Sequence, residues 1–453
     1  MAVVRPKEAS QIARLLPRLA QHKTPWHAIS RGKNWGYGDA CAATDGYVIV
    51  DLKNMNKILE INEELAYAVI QPGVSQGQLV DELQKRGSRL MLDVTGAGPE
   101  ASIVGNTLQR GFGHTPYGDH FAHSCNYEYI LPDGKLCRTG FGEVTASDVG
   151  HVYPYGQGPS TQGALAQSNA AVVTRMTVAL MPRPESIQGF GFKTPDPQSL
   201  FQILDKLREL RLSGLVDSVV HVANDLRVLS TQPWFEESCT GQDPLDASQR
   251  RVLRGRAGVG CWNGLGGLYG SKSILTAKKR LLRREFKQIC RLQFFSERHV
   301  NLLQSVSRLF PNHPRLQKIQ NLSRTVSDVY ALLRGIPSPN HLDGAFFRRR
   351  PDSGEVSDTG LIWIAPVIPC RGEDALRLLN VIEPLANEHG FDLPITISPV
   401  MDRSAVCIAN LAFNKQSAEE SARAAAAYSA IQAAMNGLGY PAYRASSVPM
   451  TSR

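Results

Sequence analysis

An α+β protein of two packed domains is the fold class the sequence predicts, and three observations carry that expectation. At 453 residues the chain is too long to bury itself around one ordinary core. Its first third runs through short apolar strands and glycine turns in quick succession, whereas after Pro182 and Pro184 longer helices stand between fewer strands. With 42% hydrophobic and 20% charged residues, and no low-complexity tract, both halves have globular composition. The expected division is 1–185, 186–439, and a return segment 440–453.

The elements follow in order. Apolar residues at helical spacing predict an amphipathic helix over 9–22. HAIS and YVIVDL read as short strands, and ILEINEELAYAVIQPGV as a hairpin. SQGQLVDELQKRG predicts a helix with Ser75 as N-cap and Gly87 as its stop. Beyond the prolines, helices are expected near 197–210, 271–291, 373–389 and 417–435. Strands are expected near 187–193, 263–270, 361–368 and 404–414. Helices and strands of these lengths imply an α+β layer, with helices on one face of a sheet.

Composition narrows the function classes. No apolar run reaches the roughly 20 residues of a membrane span, and MAVVRPKEAS lacks the apolar centre of a secretion signal, so a cytoplasmic protein without a membrane partner is expected. The eight cysteines are scattered, with no CxxC and no Cys/His pair at ligand spacing, so they read as free thiols and no metal is expected. The formal charge of +9 is concentrated in AKKRLLRREFK and in Arg348, Arg349 and Arg350. Neither run is interleaved with aromatics, which argues against nucleic acid and leaves a small-molecule partner, with a homodimer admitted.

Ser30 to Gly38, SRGKNWGYG, follows a strand, and its three glycines allow positive φ and close approach to an anion. It is neither GxGxxG nor a P-loop, so a Rossmann domain and a simple nucleotidase lose ground, and by itself the segment is also readable as a turn. A second small-residue stretch, ASIVGNTLQRG from Ala101 to Gly111, opens a helix and offers further backbone donors, or a helix packed tightly through glycine.

SRGKNWGYG, IQPGVSQGQL, ASIVGNTLQRG, GHTPYGDHF and QSNAAVVT, in that order, resemble the FAD-binding domain of the vanillyl-alcohol oxidase and p-cresol methylhydroxylase family. LYGSK, RGIPSP, GLIWIAPVIPCRGEDA, NEHGFD, NLAFNK and GYPAYR extend the resemblance over nearly the whole sequence. It implies the FAD-binding PCMH-type fold with an α+β, ferredoxin-like cap, and FAD held in an extended pose. The implied cofactor residues are Arg31, Gly32, Lys33, Asn34, Trp35, Gly36 and Tyr37, with Pro72 and Gly73. Ser102, Gly105, Asn106, Gly111, Gly113, Asn169 and Val173 complete the set.

Relatives in this family oxidise para-alkylphenols, and the residues implied to hold the phenol oxygen match Tyr37, Tyr443 and Arg444. A phenolate drives electron density towards the para-benzylic carbon, so that a hydride can leave and a quinone methide forms. A guanidinium and two tyrosine hydroxyls favour that anion. Without the resemblance, Tyr37 reads as an aromatic plug and Tyr443-Arg444 as a surface pair. Trp363 falls where the family lines its cavity, and is also readable as core. His114 takes a position usually held by tyrosine, while Asp119 and His120 read as loop supports. Hydroxy-acid or alcohol oxidation, and a basic binding protein without turnover, are the other readings.

Three departures sharpen the expectation. The histidines that bind flavin covalently in relatives align with Leu361 and Asn34, which implies non-covalent FAD. The oxidase aspartate that assists water addition aligns with Gly96, with Glu100 as a substitute. The quinone methide is then expected to have other routes, an alkene or loss of CO₂, with Arg348 to Arg350 as candidates to hold a carboxylate. Relatives also continue past the Tyr-Arg pair with a further helix and flavin-closing segment, whereas this sequence ends at Arg453.

Overall fold

The computed structural model describes residues 2–232, 234–235, 244–309, 317–342, 344–346, 359–444 and 446. Its sheets divide by sequence: every strand up to Met181–Pro182 pairs only with others before residue 183, and every strand from Ser186–Thr194 onward only with later ones. A parallel sheet is formed by Ala2–Val4, Val48–Asp51 and Trp26–Ile29. An antiparallel sheet runs Ile58–Asn62, Tyr67–Ile70, Val172–Ala179, Ser124–Ile130, Leu136–Arg138. The helix Ala9–Gln21 buries Ile12 and Leu16, the stripe its apolar spacing foretells. The Ser75 hydroxyl accepts from the Gln78 N–H and caps Gln76–Lys85, and Gly87, at φ +63°, ends that turn.

The later residues build one wide antiparallel sheet. Its order is Gln293–Phe295, Ser186–Thr194, Trp262–Gly270, His221–Asn224, Ile395–Ser398, Ser404–Asn414, Thr359–Ile364. Ser199–Leu212, Lys272–Phe286, Gly372–Glu388 and Ala418–Gly437 contribute the helical side of the core, burying Leu204, Leu282, Ile382 and Ile431 against Phe190, Val222, Ile395 and Ile397. Strand alternation sends the intervening residues to the opposite face. Val222 and Ile397 enter that core, whereas His221, Ala223, Thr396 and Ser398 line a cavity on the other side.

The single strand expected over 361–368 is two, Thr359–Ile364 and Val367–Pro369, because Pro366 lacks an N–H for the ladder. The break is used. Val367 N donates to Pro441 O at 2.9 Å and Tyr443 N donates to Ala365 O at 3.0 Å, docking the return segment there. Among the described residues no helix is long and apolar enough to cross a membrane, and the seven described cysteines are free thiols.

Candidate active site

Three segments far apart in sequence meet at one cavity. The glycine loop leaves the strand Trp26–Ile29 and turns through Gly32, Gly36 and Gly38, at φ +66°, +70° and +110°. At Gly36 a Cβ would lie 2.4 Å from Trp363 Cδ1, so only glycine permits this loop to touch the sheet. There the Trp363 backbone N–H donates to Gly36 O at 3.1 Å. The third segment is the return 440–444, whose Tyr443 carbonyl accepts from Gln167 Nε2 at 3.0 Å.

Tyr37, 5% exposed, lies at the centre. Its ring stacks on Trp363 with centroids 6.5 Å apart and planes at 20°. The Arg444 guanidinium sits 3.5 Å from the Tyr37 centroid and 5.4 Å from that of Tyr443. Arg444 also donates to Asn34 Oδ1 at 3.2 Å. Burial, reinforced by Tyr443, raises the Tyr37 pKa well above the ordinary phenol value, although Arg444 pulls the other way; Tyr37 is therefore a protonated donor. For Arg444, burial opposes the charge but attraction to Tyr443 and Tyr37 outweighs it, so the pKa is raised and the guanidinium stays cationic.

His114, 8% exposed, packs against His221 with ring centroids 4.5 Å apart. His221 Nδ1 is 2.8 Å from Ser398 Oγ, and its ring stacks on Phe112, which in turn contacts Tyr443. Sequence reasoning named His114 but not His221, Phe112 or Ser398; His221 and Ser398 lie on strands of only four residues, and the sheet register is what shows that they face the cavity. It also missed Arg227, which lines the cavity and lies 5.3 Å over the Trp363 ring.

The cavity has a volume of about 1250 Å³, larger than the roughly 300 to 1,000 Å³ of drug-sized sites, as an extended dinucleotide requires. Arg31, Gly32, Lys33, Asn34, Trp35 and Tyr37 line it, as do Ser102, Gly105, Asn106, Gly111, Asn169 and Val173. Its described lining carries Arg31, Lys33, Lys193, Arg227, Arg291 and Arg444 against a single carboxylate, that of Asp39. That donor set, together with the glycine-loop residues that line the space, fits an anionic dinucleotide cofactor.

Four expected cofactor residues stand elsewhere. Gly36 is packed against Trp363 rather than facing the space. Gly73 lies behind the wall, where a Cβ would meet the Lys53 carbonyl oxygen at 2.5 Å, and the Pro72 carbonyl accepts from Ser102 Oγ at 2.7 Å. Gly113 leaves room for the Asp93 carboxylate, against which a Cβ would clash. Arg31 does line the space, but its guanidinium donates to Glu100 O and Gly73 O, so it braces the loop.

The acids of the 93–100 stretch are both committed. Asp93 accepts from the N–H groups of His114 and Thr115, each at 3.0 Å, and from Thr115 Oγ1 at 2.7 Å. Burial acts to raise its pKa, but these bonds and His120 outweigh it and leave the carboxyl below its ordinary value. Glu100 is paired with Arg31 on the exposed side and does not line the cavity, so it does not stand in for an acid at Gly96, which does line it. His120 Nδ1 lies 2.6 Å from Asn106 Oδ1, and Asp119 Oδ1 accepts from Ala122 N at 3.1 Å. Arg348, Arg349 and Arg350 lie outside the described residues.

Known proteins share both this sequence and this fold. Residues 1–140 match the FAD binding domain family model. Over 461 residues the sequence is 33% identical to the 1'-carboxy-chondrochloren decarboxylase of Chondromyces crocatus, covering 98% of this protein and 83% of that one. It is 28% identical over 444 residues to the 4-cresol dehydrogenase [hydroxylating] flavoprotein subunit of Pseudomonas putida, covering 98% and 80%. The isoeugenol complex of 4-ethylphenol oxidase from Gulosibacter chungangensis superposes with a TM-score of 0.88 at 26% identity, covering 99% of this protein and 81% of that one.

Proposed function

Since this protein belongs to the vanillyl-alcohol oxidase and p-cresol methylhydroxylase family of FAD-binding flavoproteins, we propose that it removes a hydride from the benzylic carbon of a para-substituted phenol. The protein is an FAD-dependent oxidoreductase, acting on a small molecule. The observation that carries the finer reading is the placement of the Arg444 guanidinium 3.5 Å from the Tyr37 ring and beside Tyr443, inside the cavity.

A free phenol, with a pKa of about 10, is scarcely ionised at neutral pH. Arg444 supplies the positive charge that favours phenolate, and Tyr37, held protonated by burial, donates to the same oxygen together with Tyr443. Asn34 fixes the guanidinium through its Oδ1. Trp363 forms the apolar wall beside Tyr37. Bound FAD supplies the two-electron acceptor for the hydride. Leu361 and Asn34 stand where relatives carry flavin-linking histidines, so the FAD is proposed to be non-covalent.

A second reading, oxidative decarboxylation, is favoured by Gly96, which leaves no carboxylate there to activate water, and by the decarboxylase among the relatives. Once the hydride and its electron pair have left, a carboxylate on the next carbon along the para substituent can depart. The bond to CO₂ breaks, its electrons form a double bond between that carbon and the benzylic one, and the ring returns to phenolate as CO₂ leaves.

Anaerobic mixing of the yellow protein with para-substituted phenols, followed by product mass, tests both readings. Bleaching by the phenols is expected. A mass lower by two hydrogens reports an alkene, added oxygen reports hydration, and loss of CO₂ reports decarboxylation. Bleaching by hydroxy acids but by no phenol sinks the proposal.

A further inference from the structure

The Trp363 ring of the Tyr37–Trp363 stack carries a second guanidinium that the hydride step does not use. Arg227 sits on the short helix Asp225–Leu229, which Asn224 caps by accepting from the Arg227 N–H. Its Cζ lies 5.3 Å over the Trp363 ring and its Nη2 donates to Pro394 O at 3.0 Å. That is the guanidinium's only hydrogen bond, and it has no ion pair, among the described residues. The adjacent acid, Asp225, is fully buried and already paired with Arg250 and Arg254.

A guanidinium taken from water is costly, and one carbonyl contact with one cation–π contact offsets only part of that cost. Burial lowers the Arg227 pKa to about 10, which still leaves it cationic at neutral pH. Neither Nε nor Nη1 has a protein partner among the described residues, and the residue lines the same cavity as Arg444. Each ring of the aromatic pair thus carries its own cation: Arg444 over Tyr37 and Arg227 over Trp363. Such an arrangement suits a flat aromatic ligand with an anion at each end.

We propose that Arg227 binds a carboxylate on the para substituent of the substrate, making the substrate class a phenol with a second, acidic group. This rests on the phenol-oxidation reading above. A guanidinium offers a carboxylate two parallel N–H donors, a geometry that an ester or an alkyl group cannot satisfy.

The test uses FAD-loaded wild type, Arg227→Gln and Arg227→Lys with three probes: 3-(4-hydroxyphenyl)propanoate, its methyl ester, and 4-propylphenol. For wild type the acid is expected to give the lowest Kd by anaerobic titration. In Arg227→Gln the ratio of kcat/KM for the acid to that for 4-propylphenol is expected to fall about 30-fold or more, with Arg227→Lys intermediate. Equal losses on acid and alkylphenol overturn the assignment, as does a wild type that binds ester and acid alike. A shifted flavin absorbance or potential with equal losses also overturns it, because Arg227 then serves the cofactor. If wild type bleaches with none of the phenols, the oxidation reading has failed; the acid-to-ester Kd ratio in wild type against Arg227→Gln then decides Arg227 separately.

Discussion

At the scale of single residues, the centre of the site is a problem of keeping three polar groups in the right state inside a cavity. Tyr37 must stay protonated, and burial does that; Arg444 must stay charged, and the two tyrosines do that. Asn34 then orients the guanidinium with one hydrogen bond of 3.2 Å. Lysine at 444 would keep the charge but lose the planar fork that reaches Asn34 and a phenolate together. Arg444→Lys is therefore expected to keep its bound FAD spectrum while kcat on para-alkylphenols falls about 100-fold or more. Steady-state kinetics beside the visible spectrum measure both, and unchanged kcat would remove Arg444 from the chemistry. These residues were legible in the sequence because two ordered motifs, SRGKNWGYG and GYPAYR, carried them. Arg227 was not: its helix is five residues long, too short for a periodic pattern, and no local rule tells which way one arginine points.

Among elements, the contact that matters is between the glycine loop and the strand Thr359–Ile364, bonded through Gly36 O and Trp363 N. Gly36→Ala would force a Cβ into Trp363 at φ +70°, whereas Gly46→Ala, at φ +88°, meets nothing within 4 Å. Both substitutions strain the backbone by about 1 to 3 kcal/mol, but only the first also displaces the Tyr37–Trp363 stack. We expect both variants to melt lower and Gly36→Ala alone to lose kcat/KM, with thermal melts and kinetics on the same preparations as the check. Similar kinetics in the two would mean that the loop–strand contact does not set the site. Several long elements were readable for the same physical reason that they are stable, although helices Glu297–Leu309 and Gln317–Leu333 were not anticipated. Helix Ala9–Gln21 and helix Gly372–Glu388 each bury a periodic stripe, and strand Ser404–Asn414 is a largely apolar run buried on both faces. Strands His221–Asn224 and Ile395–Ser398 escaped notice, as did helix Ala247–Ala257. The two strands have four residues each, too few to show alternation, and that helix buries only Leu253, so it has no apolar stripe.

For the molecule as a whole, the charge tells more by its location than by its sum. The net +9 is compatible with many partners, and of its densest runs AKKRLLRREFK reads as surface while Arg348 to Arg350 read as candidates near the site. The structure instead gathers six cations and one described carboxylate around a cavity of about 1250 Å³, where a diphosphate and an ionised phenol both gain from the field. Such a cavity, closed by the wide sheet on one side and the glycine loop on the other, can retain FAD by burial and charge without a covalent bond. We expect acid precipitation to leave the flavin in a yellow supernatant and the protein band dark on a denaturing gel under ultraviolet light. The apo-protein should also melt below the FAD-loaded form, since a ligand present at about 1,000 times its Kd stabilises the folded state by roughly 4 kcal/mol. A fluorescent protein band would instead require a link through some other residue of the cavity wall. Cys41, His27 and Tyr47 all line the space, so a peptide map of that band would show which one had taken the role of the missing histidines.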